Sequence, residues 1–152
     1  MGDEQRNKEV VRKVEQAWVD GKLDQLDQYF AADFPSHDRP PGVPQGLAGA
    51  KMMHQNVAKI FQNRKLEMKD IFAGDDKVFV RSVSSSTYAG GLPGIPAPAG
   101  GAPLKDIESW SVYRLKDGKI VEHWGINDAY SIAMQAGALK MPEMAGAPTG
   151  RG

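Results

Sequence analysis

The sequence predicts a single α+β domain in which a curved antiparallel sheet wraps around amino-terminal helices to form a cone-shaped barrel. Two observations carry this prediction. Apolar residues recur at helical spacing before residue 62, and after it the period changes to runs rich in β-branched and aromatic residues. Helices followed by antiparallel strands are typical of α+β domains. The length of 152 residues also suits one domain with one core.

Three helices are predicted, over residues 4–20, 23–31 and 46–62. In the first, Val10, Val14 and Trp18 lie three to four residues apart, so they share one face while charged residues fill the other. In the third, His54 lies inside the apolar stripe, where a histidine can either be satisfied within the core or contact a ligand.

Four antiparallel strands are predicted, over residues 66–72, 77–88, 105–115 and 119–127. Turn-like sequences and a long Gly/Pro-rich loop separate them. The last two strands are predicted to form a hairpin, because Asp117-Gly118 suits a two-residue type I′ turn whose twist matches the strands.

The register of this hairpin decides which side chains share a face of the sheet. A regular ladder from the turn places Trp124 and Asp128 on the same face as Tyr113. A bulge at Gly125 would instead move Asp128 to the opposite face. The face of Asp128 therefore depends on the position of any bulge.

Composition excludes several classes of protein. Nineteen Lys and Arg balance nineteen Asp and Glu, which argues against a nucleic-acid partner. No apolar run is long enough to span a membrane, and the polar amino terminus does not resemble a signal peptide, so we expect a cytoplasmic protein. The chain has no cysteine. Three scattered histidines without metal-ligand spacing predict no metal site.

Glycine and proline cluster in three windows, residues 35–49, 90–103 and 141–152. Neither residue suits the interior of regular elements, so these windows are expected to be loops or a tail. We therefore expect one domain over residues 1–140 and a disordered tail over 141–152.

Three segments carry a resemblance to a known family. They are WVDGKLDQLDQYFAADFPSHDRPPGVPQGLAGAK, TYAGGLPGIPAPAGG and YRLKDGKIVEHWGINDAYSIAMQAGAL. In this order and with these gaps, over about residues 7–139, they resemble the SnoaL-like polyketide cyclases, which have a nuclear-transport-factor-type cone fold. The resemblance implies an enzyme that closes a ring of a hydrophobic carbonyl substrate by an intramolecular aldol reaction. It also implies that no cofactor is needed and that the chain forms a homodimer or homotetramer.

The resemblance implies that Asp128 and His37 are catalytic. In the cyclases an Asp at the end of the last strand is the proposed acid and base, and Asp128 matches it. That role requires a carboxylate shielded from water, because desolvation raises its pKa. The alternative is that Asp128 only caps the short helix predicted after it. His37 matches a loop histidine of the family that could stabilise an enolate, or it could simply begin a turn.

Four further residues are expected to bind the substrate: His54, Tyr88, Trp110 and Trp124. Tyr88 stands where many relatives have a histidine, so it could donate a hydrogen bond but would not titrate near neutral pH. The two tryptophans could stack on a planar substrate or belong to the core or a subunit contact. Arg81, in mid-strand, is expected to pair with a carboxylate of a neighbouring strand rather than to anchor an anionic substrate.

Members of this fold include hydroxylases, dehydratases, isomerases, hydrolases and non-catalytic binders, so the fold alone does not choose the reaction. Two alternatives to the cyclase therefore remain. One is another pocket enzyme of the same family, and the other is a protein that only holds a lipophilic molecule.

Overall fold

The computed structural model describes residues 2–142 and residue 146. Its elements follow the order α1 (Asp3–Asp20), a 3₁₀ helix (Leu23–Gln28), α2 (Gly46–Ile60), β1 (Phe61–Gly74), β2 (Lys77–Tyr88), β3 (Ala102–Lys116), β4 (Lys119–Asn127) and α3 (Ala129–Gln135). The predicted α+β architecture is therefore confirmed. Most of the predicted tail, at residues 143–145 and 147–152, lies outside the described residues.

The helices begin and end close to their predicted positions, with one difference in type. The second segment is a short 3₁₀ helix rather than an α-helix. Asp128 is the N-cap of α3, and its carboxylate accepts a hydrogen bond from the backbone N–H of Ser131 at 3.0 Å. The predicted capping role of Asp128 is thus observed.

The four strands form one antiparallel sheet in the order β1-β2-β3-β4. Asp117 and Gly118 have φ values of 51° and 77°, as a type I′ turn requires. Arg81 donates to Asp70 of β1 at 2.6 Å and to Glu108 of β3 at 2.7 Å, which confirms its predicted pairing with neighbouring strands.

The register of the β3–β4 hairpin differs from the regular ladder. Leu115 lies opposite Ile120 as predicted, but the next pair is Arg114 with Glu122, so the ladder shifts by one residue at Val121. Beyond this bulge every residue of β4 faces a partner one position later than predicted. His123, instead of Glu122, therefore lies opposite Tyr113.

The edge of the sheet at β4 is covered by the segment that follows the 3₁₀ helix. The backbone N–H of Ala31 donates to the carbonyl of Ile120 at 2.9 Å. Farther along, the backbone N–H of His37 donates to the carbonyl of His123, also at 2.9 Å. His123 in turn donates to the carbonyl of Pro35 at 3.0 Å. These bonds satisfy the backbone of an edge strand and fix a loop beside it.

Two hydrophobic clusters fill the ends of the concave side of the sheet. One joins α1 and the 3₁₀ helix to the sheet and includes Val11, Val14 and Leu26. The other packs α3 against β3 around Leu104 and Ile132. Within residues 2–142, no helix combines the length and apolar character needed to cross a bilayer.

Candidate functional site

A cavity of about 270 Å³ lies between the two hydrophobic clusters and is lined by members of both. The sheet leaves room for it because the residues on this part of its inner face are small. They are Ser84, Ser86, Ser109, Ser111 and Gly125. A concave, mostly apolar cavity with a few polar groups is the usual form of a small-molecule site.

A chain of hydrogen bonds lies in the cavity wall and ends on a histidine. The Ser36 hydroxyl donates to Asp38 Oδ1 at 2.6 Å and lies 2.8 Å from His123 Nδ1. Because the Ser36 proton is directed at Asp38, its oxygen accepts the N–H of His123 Nδ1. In a neutral imidazole with this tautomer the lone pair is on Nε2, which lies 3.2 Å from the Ser111 hydroxyl.

Asp38, the carboxylate in this chain of hydrogen bonds, is ionised at neutral pH. Partial burial of Asp38 favours its neutral form, but hydrogen bonds with His123 and Ser36 and the charge of His123 outweigh burial and lower its pKa to about 2. Asp38 Oδ1 lies 3.4 Å from His123 Nδ1. An anionic Asp38 therefore stabilises the imidazolium that forms when Nε2 of His123 takes up a proton.

Backbone pairing brings these residues together. Ser36 forms a parallel bridge with His123, and neighbouring residues in an extended segment point in opposite directions. Ser36 consequently faces the cavity, while His37 lies outside it and bonds to Glu122 at 3.0 Å. In the loop, Ser36 and Asp38 line the cavity and His37 does not. In β4, His123 and Gly125 line it and Trp124 does not.

A second polar pair lies on the helical wall. The Tyr113 hydroxyl donates to Glu15 Oε1 at 2.5 Å, and the Tyr113 ring packs on the His123 ring with centroids 4.8 Å apart. Burial raises the pKa of Glu15 despite the opposing hydrogen bond from Tyr113 and the charges of His123 and Arg64. The cavity thus holds two carboxyl groups whose pKa values are shifted in opposite directions, Asp38 downwards and Glu15 upwards, and each contacts a residue of the His123 site.

Two arginines, Arg39 and Arg64, also line the cavity. Nε of Arg39 is buried without a hydrogen-bond partner in the part of the chain that the structure describes. In residues 2–142 and 146 there is no group of three or more His, Asp or Glu side chains suited to a metal ion. The cavity lining thus combines the hydrogen-bonded groups around His123 with two arginines and a second histidine, His54.

A family model of the SnoaL-like polyketide cyclases matches residues 8–136, which is most of the chain. The chain belongs to the SnoaL-like polyketide cyclase family. No curated protein matches it.

Solved structures agree with this assignment. A predicted polyketide cyclase from Bacillus cereus ATCC 10987 is 27% identical, with a TM-score of 0.73 over 89% of this chain and 83% of that one. IdmH, a predicted polyketide cyclase from Streptomyces antibioticus, is 27% identical, with a TM-score of 0.71 over 86% of this chain and 98% of IdmH. TsrD from Streptomyces laurentii has the same fold, with 22% identity and a TM-score of 0.76 over 91% of this chain and 100% of TsrD.

The structure places Asp128 and His37, the two residues that the resemblance implies are catalytic, away from the cavity lining. Both oxygens of Asp128 accept hydrogen bonds from Ser131, which lower its pKa. This shift is opposite to the one that a base acting on a carbon acid requires. His37 stacks on Trp124 with ring centroids 5.0 Å apart.

Of the four expected substrate-binding residues, two contribute to the lining. His54 does so while its Nε2 donates to the carbonyl of Trp18 at 2.7 Å, and Trp110 does so while 47% exposed. Tyr88 is fully buried, and its hydroxyl donates to the carbonyl of Ile95 in the Gly/Pro-rich loop. Trp124 lies with His37, so the structure gathers these two residues on the opposite side of β4 from His123.

The residues that form the polar site are Glu15, Ser36, Asp38, Tyr113 and His123, none of which the sequence singled out as catalytic. Glu15 carries a visible signal, since it follows Val14 and lies next to the apolar face of α1. The serine-rich run of β2 is a second signal, because small hydroxyl residues on an inner face leave a hollow. The pairing of Ser36 with His123 joins positions 87 residues apart and has no local signal.

Gly125 is required for the close approach of Asp38. A Cβ at this position would lie 2.6 Å from Asp38 Oδ2 and 3.0 Å from His123 Cε1. We expect Gly125→Ala to displace the carboxylate and to lower the rate of proton abstraction at this site about a hundredfold, because small displacements of positioning groups are costly. Its fold should be retained, since the end of a side chain can move.

The matched control is Gly74→Ala, because nothing lies within 4 Å of a Cβ built at Gly74. Circular dichroism and thermal unfolding check the folding of both variants. If Gly125→Ala kept full turnover, the contact between Gly125 and Asp38 would have no part in the site.

Proposed function

We propose that this chain is a cofactor-independent polyketide cyclase that closes a ring of a hydrophobic carbonyl substrate by an intramolecular aldol reaction. The observation that carries the proposal is the Asp38–Ser36–His123 hydrogen-bond chain in the wall of the cavity. It leaves Nε2 of His123 as a proton acceptor, and family membership supports the class of substrate.

In the first step, Nε2 of His123 removes a proton from the carbon next to a substrate carbonyl. In the imidazolium that forms, the proton on Nδ1 is donated in a hydrogen bond to Ser36 Oγ, and the charge of Asp38 stabilises the ring. The same proton acceptor would be less effective in open water, where the Asp38 charge is screened. Asp38 is thus a positioning residue that acts through Ser36 and His123.

In the second step, the enolate carbon attacks a second carbonyl of the same molecule and forms a carbon–carbon bond. The electrons of that carbonyl move to its oxygen, and Glu15 supplies the proton that this alkoxide needs. His123 then releases the proton that it took up and Glu15 regains one by exchange with solvent, so both groups are restored. The product is an isomer of the substrate, so no oxidant or reductant is consumed. A carboxylic acid kept neutral by burial is suited to this donation.

Exchange of a carbon-bound proton tests the first step without knowledge of the natural substrate. The probe is β-tetralone, a small hydrophobic ketone, dissolved in heavy water and followed by proton NMR. We expect the protein to accelerate deuterium incorporation next to the carbonyl. Binding of the probe without faster exchange would contradict the proposal and favour a protein that only holds a lipophilic molecule.

The exposed apolar face formed by Phe72, Phe79, Trp110 and Ile126, of which Trp110 and Ile126 also line the cavity, supports the expected homodimer or homotetramer. Phe72 is 62% exposed, Trp110 is 47% exposed and Ile126 is 67% exposed, and Phe79 contacts both Phe72 and Trp110. Exposed apolar patches of this kind are typical of interfaces. We propose that two copies pack through this face.

Light scattering should therefore give at least twice the 16.5 kDa mass of one chain. Phe72→Lys is expected to shift the assembly towards the monomer, since it places a charge in the apolar contact. A wild-type monomer at micromolar concentration would contradict this assembly.

A further inference from the structure

Arg64 enters the cavity wall at an irregularity of β1. Gln62 pairs with Thr87 and Lys65 pairs with Ser85, so two residues of β1 oppose the single Ser86. Asn63, the other unpaired residue, has a φ of 52°. The irregularity changes the alternation of the strand, because Phe61 and Arg64 both line the cavity although residues three apart in a regular strand face opposite sides. Bulges of this kind re-aim a side chain and recur beside active sites.

The charge of Arg64 has little compensation. Glu15 attracts this charge through space, but among the described residues no ion pair or side-chain hydrogen bond joins Glu15 to Arg64. Glu15 is already bonded to Tyr113, and burial favours its neutral form. The exposed guanidinium of Arg64 lines the cavity, and no carboxylate of the described residues holds it in an ion pair, so it is available to an anion of the ligand.

The surroundings of Arg64 are apolar. It also lines a second cavity of about 230 Å³ whose wall includes Trp18, Val57, Phe61 and Leu66. These four residues line the large cavity as well, so Arg64 lies where the two meet. A molecule in the large cavity can therefore extend an acidic end towards Arg64 while the rest of it contacts hydrophobic side chains.

We propose that the substrate of this chain is a free carboxylic acid, hydrophobic over most of its length, whose carboxylate is bound by the guanidinium of Arg64. The planar donor pair of arginine matches a carboxylate. The single arginine at this position suits one negative charge better than a phosphate group, which requires several donors. This inference rests on the proposed function, because it orients the substrate of that reaction relative to His123.

The test compares two probes of nearly equal shape, naphthoate and its uncharged amide, by isothermal titration calorimetry. We expect the wild-type protein to bind naphthoate about tenfold or more tightly than the amide, since charge-assisted hydrogen bonds are the strong ones. Arg64→Met should remove this preference while leaving the affinity for the amide. Arg64→Lys should restore part of it, because lysine keeps the charge without the planar donor pair.

Arg12→Met on the exposed face of α1 is the matched control and should keep the full preference. Equal binding of the two probes by the wild-type protein would overturn the inference. So would a preference that survives in Arg64→Met, and loss of the preference in Arg39→Met instead would assign the carboxylate to Arg39. These measurements are independent of β-tetralone exchange, so a failure of the carboxylate site and a failure of the proposed reaction can be told apart.

Discussion

Replacing His123 by Gln is expected to lower the rate of β-tetralone exchange by about a hundredfold to ten-thousandfold, the usual contribution of a general base. Gln keeps a polar side chain next to Ser36 but cannot accept and release a proton. NMR in heavy water measures the exchange rate, and thermal unfolding shows whether the variant is folded. The reduction should appear in kcat rather than in KM, because the ring contributes to proton transfer more than to binding.

Asp128→Asn tests the base that the resemblance implies. Asn is as good an N-cap as Asp, so this variant should keep α3 intact. Because Asp128 lies outside the cavity lining, we expect it to exchange β-tetralone at nearly the wild-type rate. If Asp128→Asn were inactive while His123→Gln kept its activity, Asp128 rather than His123 would be the base.

Replacing Glu15 by Gln is expected to stabilise the protein above pH 4.5. The folded-state pKa of Glu15 is raised above its usual 4.5, so the folded chain holds this proton more tightly than the unfolded chain. The free energy of unfolding of the wild-type protein then falls by about 1.4 kcal/mol for each pH unit between 4.5 and the raised pKa. Gln has no proton to lose, so its variant should lack this decline.

Urea unfolding between pH 4 and pH 8 measures the difference, and Glu9→Gln, on the exposed face of the same helix, is the control. At acid pH the free energy of unfolding should instead fall as the pH falls. The pKa of Asp38 is lowered from 3.8 to about 2, so the stability that its ionised form contributes is lost as the pH falls through that range. Glu15→Gln should also block ring closure while leaving β-tetralone exchange. Parallel stability curves for the wild-type protein and Glu15→Gln would show that Glu15 is ionised in the folded state.

The elements of the fold could be predicted because their signals are local. The apolar face of α1 follows from a spacing of three to four residues, and the Asp117-Gly118 turn follows from two residues that tolerate positive φ. The bulge at Val121 could not be predicted in this way. It coincides with an edge where β4 also bonds to the segment after the 3₁₀ helix, and this contact is invisible to strand periodicity.

The polar site was harder to predict because its members come from three distant parts of the chain. The resemblance points to His37 in the Ser36-His37-Asp38 segment, yet the backbone of this segment pairs with β4 so that Ser36 and Asp38 face the cavity. In β4 the shift of one residue moves His123 opposite Tyr113. A family motif indicates which segments meet, but a single bulge decides which side chains of those segments face the ligand.

We infer that the neutral imidazole of His123 leaves Nε2 unprotonated, because Nδ1 donates to Ser36 Oγ beside Asp38. The ring-nitrogen NMR signals of His123 in ¹⁵N-labelled protein test it most directly, with Ser36→Ala as the comparison. At a pH where the imidazole is neutral, we expect a proton on Nδ1 and none on Nε2 in the wild-type protein, and a change of this tautomer balance in Ser36→Ala. A proton on Nε2 in the wild-type protein, unchanged by Ser36→Ala, would contradict it.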